Sequence, residues 1–115
     1  MNVYDSQASL FKALMHPARL AILDVLRAGE ACVCHMEAAL GYRQAYISQQ
    51  LMVLRDAGLV KDRRDGWNIY YRAVKPQIFD LMDSARLILG QRGKKHIPAV
   101  VPACSCPHCT AQGAR

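Results

Sequence analysis

Between Cys32 and Val74 the chain carries two short apolar-periodic segments parted by a glycine, then an Asp-Gly turn between two strand-like runs. Few folds accommodate that order. The first segment predicts a helix from near Cys32 to Leu40, ending at Gly41. The second follows at once, from about Gln44 to Ala57, with Ile47, Leu51 and Leu54 as its apolar stripe and Gly58 closing it. Two helices joined by so short a link make a helix-turn-helix. Ile47 and Leu51 hold the second helix in place, which leaves Gln44, Tyr46, Ser48 and Gln49 facing outward. Leu59–Arg64, Asp65-Gly66 and the aromatic and β-branched run Trp67–Val74 together predict a hairpin. A hairpin directly after a helix-turn-helix is a wing. Arg63 and Arg64 load its tip, as a phosphate-contacting element requires.

The flanks complete the architecture. Ala8, Leu10, Phe11 and Leu14 predict a helix from Ser6 to about Leu14, interrupted by His16-Pro17. Pro17 suits the first turn of a second helix, in which Leu20, Leu23 and Leu26 recur until Gly29. After the wing, Pro76 opens a last helix with Ile78, Leu81, Met82, Ala85 and Ile88 as its stripe and Gly90 at its end. So apolar a terminal helix either packs on its own domain or pairs with a second copy. Two-fold pairing is the commoner use of such a face. The fold expected is mainly α (α+β), a winged helix-turn-helix that dimerises through its N- and C-terminal helices. Residues 1–91 form that domain. Residues 92–115, with the basic run Arg92–His96, three prolines and a cysteine cluster, form an extended tail.

At 115 residues the chain suits one small domain. It has no apolar run of the ~18 residues a membrane span needs. Its opening Met1–Asp5 has no basic region or apolar signal core, so a cytosolic protein without a membrane partner is expected. The net charge of +6 favours a polyanionic partner. On this fold that partner is double-stranded DNA. Gln44, Tyr46, Ser48 and Gln49 would read bases, and Arg43, Lys61, Arg63 and Arg64 would hold phosphates. No Ser-His-Asp order, phosphate-binding glycine loop or thioredoxin-like context around Cys106 and Cys109 points to an enzyme.

Specific residues then carry a resemblance. Leu14-Met15-His16-Pro17-Ala18-Arg19-Leu20-Ala21-Ile22-Leu23 is similar to the opening of the ArsR/SmtB repressors. Ile47-Ser48-Gln49-Gln50-Leu51-Met52-Val53-Leu54-Arg55-Asp56-Ala57-Gly58-Leu59-Val60 resembles their recognition helix and its exit. Arg63-Arg64-Asp65-Gly66 with Tyr70-Tyr71-Arg72 resembles their wing. The likeness spans about residues 8 to 90. Two positions depart from the family pattern. Gln50 stands where a histidine is usual, which obscures the operator sequence, and His16 stands where an acidic helix cap is common. Glu30-Ala31-Cys32-Val33-Cys34-His35 resembles the cysteine-bearing helix of the family's arsenite, cadmium and lead sensors. In the arsenite version a third cysteine follows three residues on, where this chain has Glu37. Zinc and nickel sensors use His and Asp on the terminal helix. Here that helix has Asp80 and Asp83 but no histidine. The resemblance thus implies a homodimeric repressor of efflux or detoxification genes, released by a metal or metalloid.

The chain's five cysteines are Cys32, Cys34, Cys104, Cys106 and Cys109, an odd number clustered at two places. In a reducing compartment such clusters are more often metal ligands or redox groups than structural disulfides. On a regular helix Cys32 and Cys34 would diverge by about 200°, so joint binding requires extended or unwound backbone there. Unwinding on binding would disturb the support of the recognition helix in each subunit and misplace the two helices, which must reach major-groove half-sites about 34 Å apart. The tail supplies further thiols, Cys106 and Cys109 at C-x-x-C spacing and Cys104 before them. Three thiolates suit arsenite or antimonite, and four suit cadmium, zinc or lead. The ligands come from one chain or from both subunits. A permanent zinc site, a silent tail and a disulfide-switched repressor are the alternatives. Lys94 and Lys95 are near the tail thiols in sequence, where positive charge favours thiolate.

Overall fold

A computed structural model describes residues 2–91. The expected tail, with Cys104, Cys106 and Cys109, lies outside the described residues.

Helix α1 (Val3–Leu14) starts three residues ahead of the predicted Ser6. Asn2 and Asp5 form a reciprocal capping box there: Asn2 Oδ1 accepts from the Asp5 amide at 2.9 Å. Helix α2 (Pro17–Leu26) begins at Pro17 as expected, capped by His16, whose Nδ1 accepts the Ala18 amide at 3.2 Å. An imidazole nitrogen thus fills the place of an acidic cap.

A short strand β1 (Ala31–Cys32) precedes α3 (Val33–Leu40), which Gly41 closes in the left-handed region at φ 78. Helix α4 (Gln44–Asp56) follows after a three-residue link. The hairpin β2 (Val60–Asp65) and β3 (Asn68–Ala73) comes next, and then α5 (Gln77–Ile88). The antiparallel sheet has the order β1-β3-β2, in register from Val60↔Ala73 to Asp65↔Asn68 and with Cys32↔Tyr70 on the other edge.

Two expectations are corrected. Cys32 belongs to a strand rather than a helix, because the β3 edge offers backbone pairing at Tyr70. The central turn residues are Gly66 and Trp67, with Asp65 still paired to Asn68. Positive φ occurs at Gly66 (63°) and not at Trp67, the pattern of a turn with glycine at its first central position.

One core joins every element: Leu14, Ile22, Leu26, Met36, Ile47, Leu51, Leu54, Val60, Ile78 and Met82 are all buried. Full burial of each such side chain contributes roughly 1.5–3 kcal/mol. The predicted stripe of α5 divides: Ile78 and Met82 enter this core and half-buried Leu81 packs against it, whereas Ala85 and Ile88 stay exposed. On α2 the buried apolar positions are Ala18, Ile22, Leu23, Val25 and Leu26, while Leu20 is exposed. Leu20 joins Phe11, Met15, Leu81, Ala85 and Leu89 around an apolar groove of about 740 Å³ between α1 and α5. Among the described residues, no helix is long and apolar enough to cross a membrane.

Asp24 of α2 is buried and accepts hydrogen bonds from Arg27 and from Arg86 of α5. Arg27 also donates to Asp83 at 3.1 Å and lies over the Phe79 ring at 5.0 Å. Burial pulls the Arg27 guanidinium toward losing its proton. The hydrogen bonds and charges of Asp83 and Asp24 more than offset that and raise its pKa. This four-charge network fixes α5 on α2. It also occupies Asp83, one of the two terminal-helix carboxylates singled out in the sequence.

Candidate nucleic-acid interface and the thiol pair beside it

Helix α4 presents a polar face because its apolar positions are consumed by the core. Ile47, Leu51 and Leu54 point inward, leaving Gln44, Ser48, Gln49 and Met52 exposed on the solvent side. Three of the four predicted base-reading residues are therefore open to solvent. The fourth, Tyr46, is half-buried. Its hydroxyl is 3.2 Å from His16 Nε2, and its ring meets Tyr42 edge-on at 5.3 Å. His16 Nδ1 already accepts the Ala18 amide, so a neutral ring carries its proton on Nε2 and donates it to Tyr46. Tyr46 thus ties the recognition helix to the start of α2.

Gln50 faces inward. It is buried, and its Oε1 accepts from Arg19 Nε at 2.9 Å. Arg19 Nη1 also donates to the Ala13 carbonyl at 3.2 Å, one of the last carbonyls of α1. The departure at position 50 is therefore a strut among α1, α2 and α4 and lies off the outward face. Sequence periodicity alone contained the signal, since Gln50 falls three residues after Ile47 and four before Leu54.

Arg43 caps α4 and is exposed, at the end of the helix dipole that favours phosphate. On the wing, Lys61, Arg63 and Arg64 are all exposed. Arg63 is distinct from the other two. Its Nε and Nη2 donate to the two oxygens of Glu30 at 2.7 and 2.8 Å, and its guanidinium lies 4.9 Å above the Tyr70 ring. The Glu30 hydrogen bonds raise its pKa against a smaller opposing effect of burial. Glu30, which sequence reasoning did not select, thus clamps one wing arginine. Among the described residues, the ion pairs of the wing engage Arg63 and Asp62 but not Lys61, Arg64 or Arg72.

The thiols sit where β1 turns into α3. Cys32 is the cap of α3 in extended conformation (φ −88, ψ 167), and its Sγ accepts the His35 amide at 3.3 Å. Cys34 lies two residues on and is exposed, whereas Cys32 is buried. The extended backbone removes the divergence a regular helix would impose. The Cα atoms are 5.4 Å apart and the two sulfurs are in bonding contact. No unwinding of α3 is needed to bring them together. Among the described residues, no three His, Cys, Asp or Glu side chains gather where they could hold a metal ion. A closed site therefore requires ligands beyond Cys32 and Cys34.

The sequence profile of bacterial regulatory proteins of the arsR family matches residues 16–62. The biofilm growth-associated repressor of Agrobacterium fabrum (strain C58) is 44% identical over 77 residues, covering 67% of this chain and 66% of that protein. The crystal structure of Rv0081 from Mycobacterium tuberculosis superposes with a TM-score of 0.70 at 38% identity, covering 79% of this chain and 92% of that one. The homodimeric winged helix-turn-helix domain of Mb0332 from Mycobacterium bovis, described as a possible ArsR-family regulator, superposes at 0.68 with 32% identity, covering 80% and 85%.

Proposed function

This chain belongs to the ArsR family of DNA-binding transcriptional repressors, and we propose that it grips its operator as a homodimer and releases it when a thiophilic metalloid engages Cys32 and Cys34. The carrying observation is the placement of that sulfur pair. It caps α3, which packs against α4, and its strand pairs with β3 of the wing. Both DNA-facing elements are thus one contact away.

The dimer forms across the apolar α1/α5 groove, and the similar Mb0332 domain is likewise homodimeric. Each subunit then inserts α4 into the major groove, with Gln44, Ser48 and Gln49 at base edges. Arg43, Lys61 and Arg64 neutralise phosphates. Repression requires both recognition helices in register over half-sites one helical turn apart, so a small tilt of α4 is enough to weaken binding.

Two soft sulfurs fit arsenite or antimonite, with a third thiolate supplied by Cys104, Cys106 or Cys109 of either subunit. More tail thiolates would make a four-sulfur site for cadmium, lead or zinc. Ligation would draw Cys32 Sγ, which caps α3 through the His35 amide, toward the effector and shift α3 against α4, on which it packs.

A second reading has its own observation in the sulfur contact itself. Here Cys32 and Cys34 lose two protons and two electrons to a hydroperoxide, which is reduced to water and an alcohol, and the resulting disulfide ties the cap of α3 to its first turn.

Fluorescence anisotropy of the reduced dimer on duplex DNA from upstream of its own coding region separates these readings. Arsenite or antimonite should release the DNA near stoichiometry, and Cys32→Ser or Cys34→Ser should abolish the release while leaving DNA binding intact. Release by cadmium, lead or zinc alone would move the site to four ligands. Release by a hydroperoxide and by no ion would replace the metalloid with the disulfide.

A further inference from the structure

We propose that Trp67 is a DNA-contacting residue, which packs against the sugar and base edges of the groove beside the one α4 enters; this rests on the repressor reading. Trp67 is 99% exposed, and the fold makes no use of its indole. Isolated apolar side chains on a surface are ordinary. The place of this one is not. It is the second central residue of a two-residue turn, at the apex of a hairpin paired without a break from Val60↔Ala73 to Asp65↔Asn68.

That construction makes the apex rigid. Glycine at position 66 supplies the positive φ the turn demands, so position 67 is under no backbone constraint that would call for tryptophan. The indole therefore projects on a stiff arm, and little conformational entropy is lost when it meets a partner. The charges around it identify that partner. Arg63 is committed to Glu30, and Asp62 lies near Arg55 at 3.9 Å. Lys61, Arg64 and Arg72 enter no ion pair among the described residues and leave the arm a cationic character. A flat aromatic carried on a cationic ribbon fits a surface of anionic phosphates with apolar sugar and base edges between them. Apolar side chains inserted at base steps and aromatic side chains stacked on bases are both established modes of DNA contact.

The chain has a single tryptophan, so its emission reports on this one position. Intrinsic fluorescence of the reduced dimer should fall as the upstream duplex is added and saturate with the anisotropy signal. Trp67→Ala should weaken binding by roughly 5- to 150-fold, the range of a lost aromatic stack, and Trp67→Phe should recover part of it. The slope of affinity against salt should not change, because no phosphate contact is lost. Thermal unfolding of both variants should match the unaltered protein, since the side chain touches nothing in the fold. Duplex binding with unchanged emission, and with Trp67→Ala affinity within about twofold, would overturn the proposal. Failure of the unaltered dimer to bind the duplex at all would overturn the repressor reading and this inference with it.

Discussion

Asp24→Asn should destabilise the fold by about 2–4 kcal/mol. Asp24 is 7% exposed, and its carboxylate accepts from Arg27 Nε at 3.1 Å, from Arg27 Nη2 at 3.0 Å and from Arg86 Nη2. Removing one partner of a buried ion pair costs about 3–5 kcal/mol, chiefly through the charge left behind. Two features reduce that figure here. The side chains of Arg27 and Arg86 are 20% and 25% exposed, so water partly solvates them. Both also keep Asp83, at 3.1 and 3.5 Å. Asparagine retains one acceptor oxygen and the volume, so no cavity forms. For a domain of this size the melting temperature should drop by roughly 10–25 °C. The assay is urea unfolding followed by circular dichroism at fixed protomer concentration, because a dimer gains stability by mass action. The midpoint should fall while the slope stays constant. A cycle with Arg86→Met should show a coupling of at least about 1 kcal/mol. A loss below about 1 kcal/mol, or strict additivity with Arg86→Met, would refute the claim that this network fixes α5 on α2.

Further outcomes follow from the interface and from the side chains packed behind it. Gln49→Ala should relax sequence preference at one operator position at a cost of about 1–3 kcal/mol, whereas Arg64→Ala should weaken all duplexes alike and lower the salt slope by about one, both measured by anisotropy at several salt concentrations. Gln50→Ala should cost about 1–2 kcal/mol in urea unfolding, because it removes a charge-assisted acceptor from half-buried Arg19 and leaves α4 less firmly tied to α2. Burial, and then the Asp62 carboxylate, raise the Tyr71 pKa against the smaller pull of Arg55. A raised folded pKa means the unfolded chain loses the proton first. The stability concerned is thus intact below about pH 10 and is lost as pH climbs through the folded value. Tyr71→Phe should remove that part of the alkaline loss, as read by circular dichroism against pH.

The order of elements was legible in the sequence because it rests on local physics. Apolar spacing places α4, Gly41 and Gly58 bound it, and Asp65-Gly66 announces the hairpin before any contact is known. The outward position of Gln44, Ser48 and Gln49 follows from the same periodicity. What only the tertiary structure decided are choices among distant partners. Cys32 leaves the helix for a strand because Tyr70, far along the chain, offers its backbone. Gln50 turns inward to Arg19, 31 residues away, and Arg63 pairs with Glu30, 33 residues away. Tyr46 is drawn toward His16 in the same way. A charged or polar side chain on a helix or strand takes whichever complementary group the fold brings within about 3 Å, and sequence spacing carries no record of that distance. Local pattern therefore determined which elements form. Long-range pairing determined which side chains remain free for DNA and why two cysteines, divergent on a helix, meet at its cap.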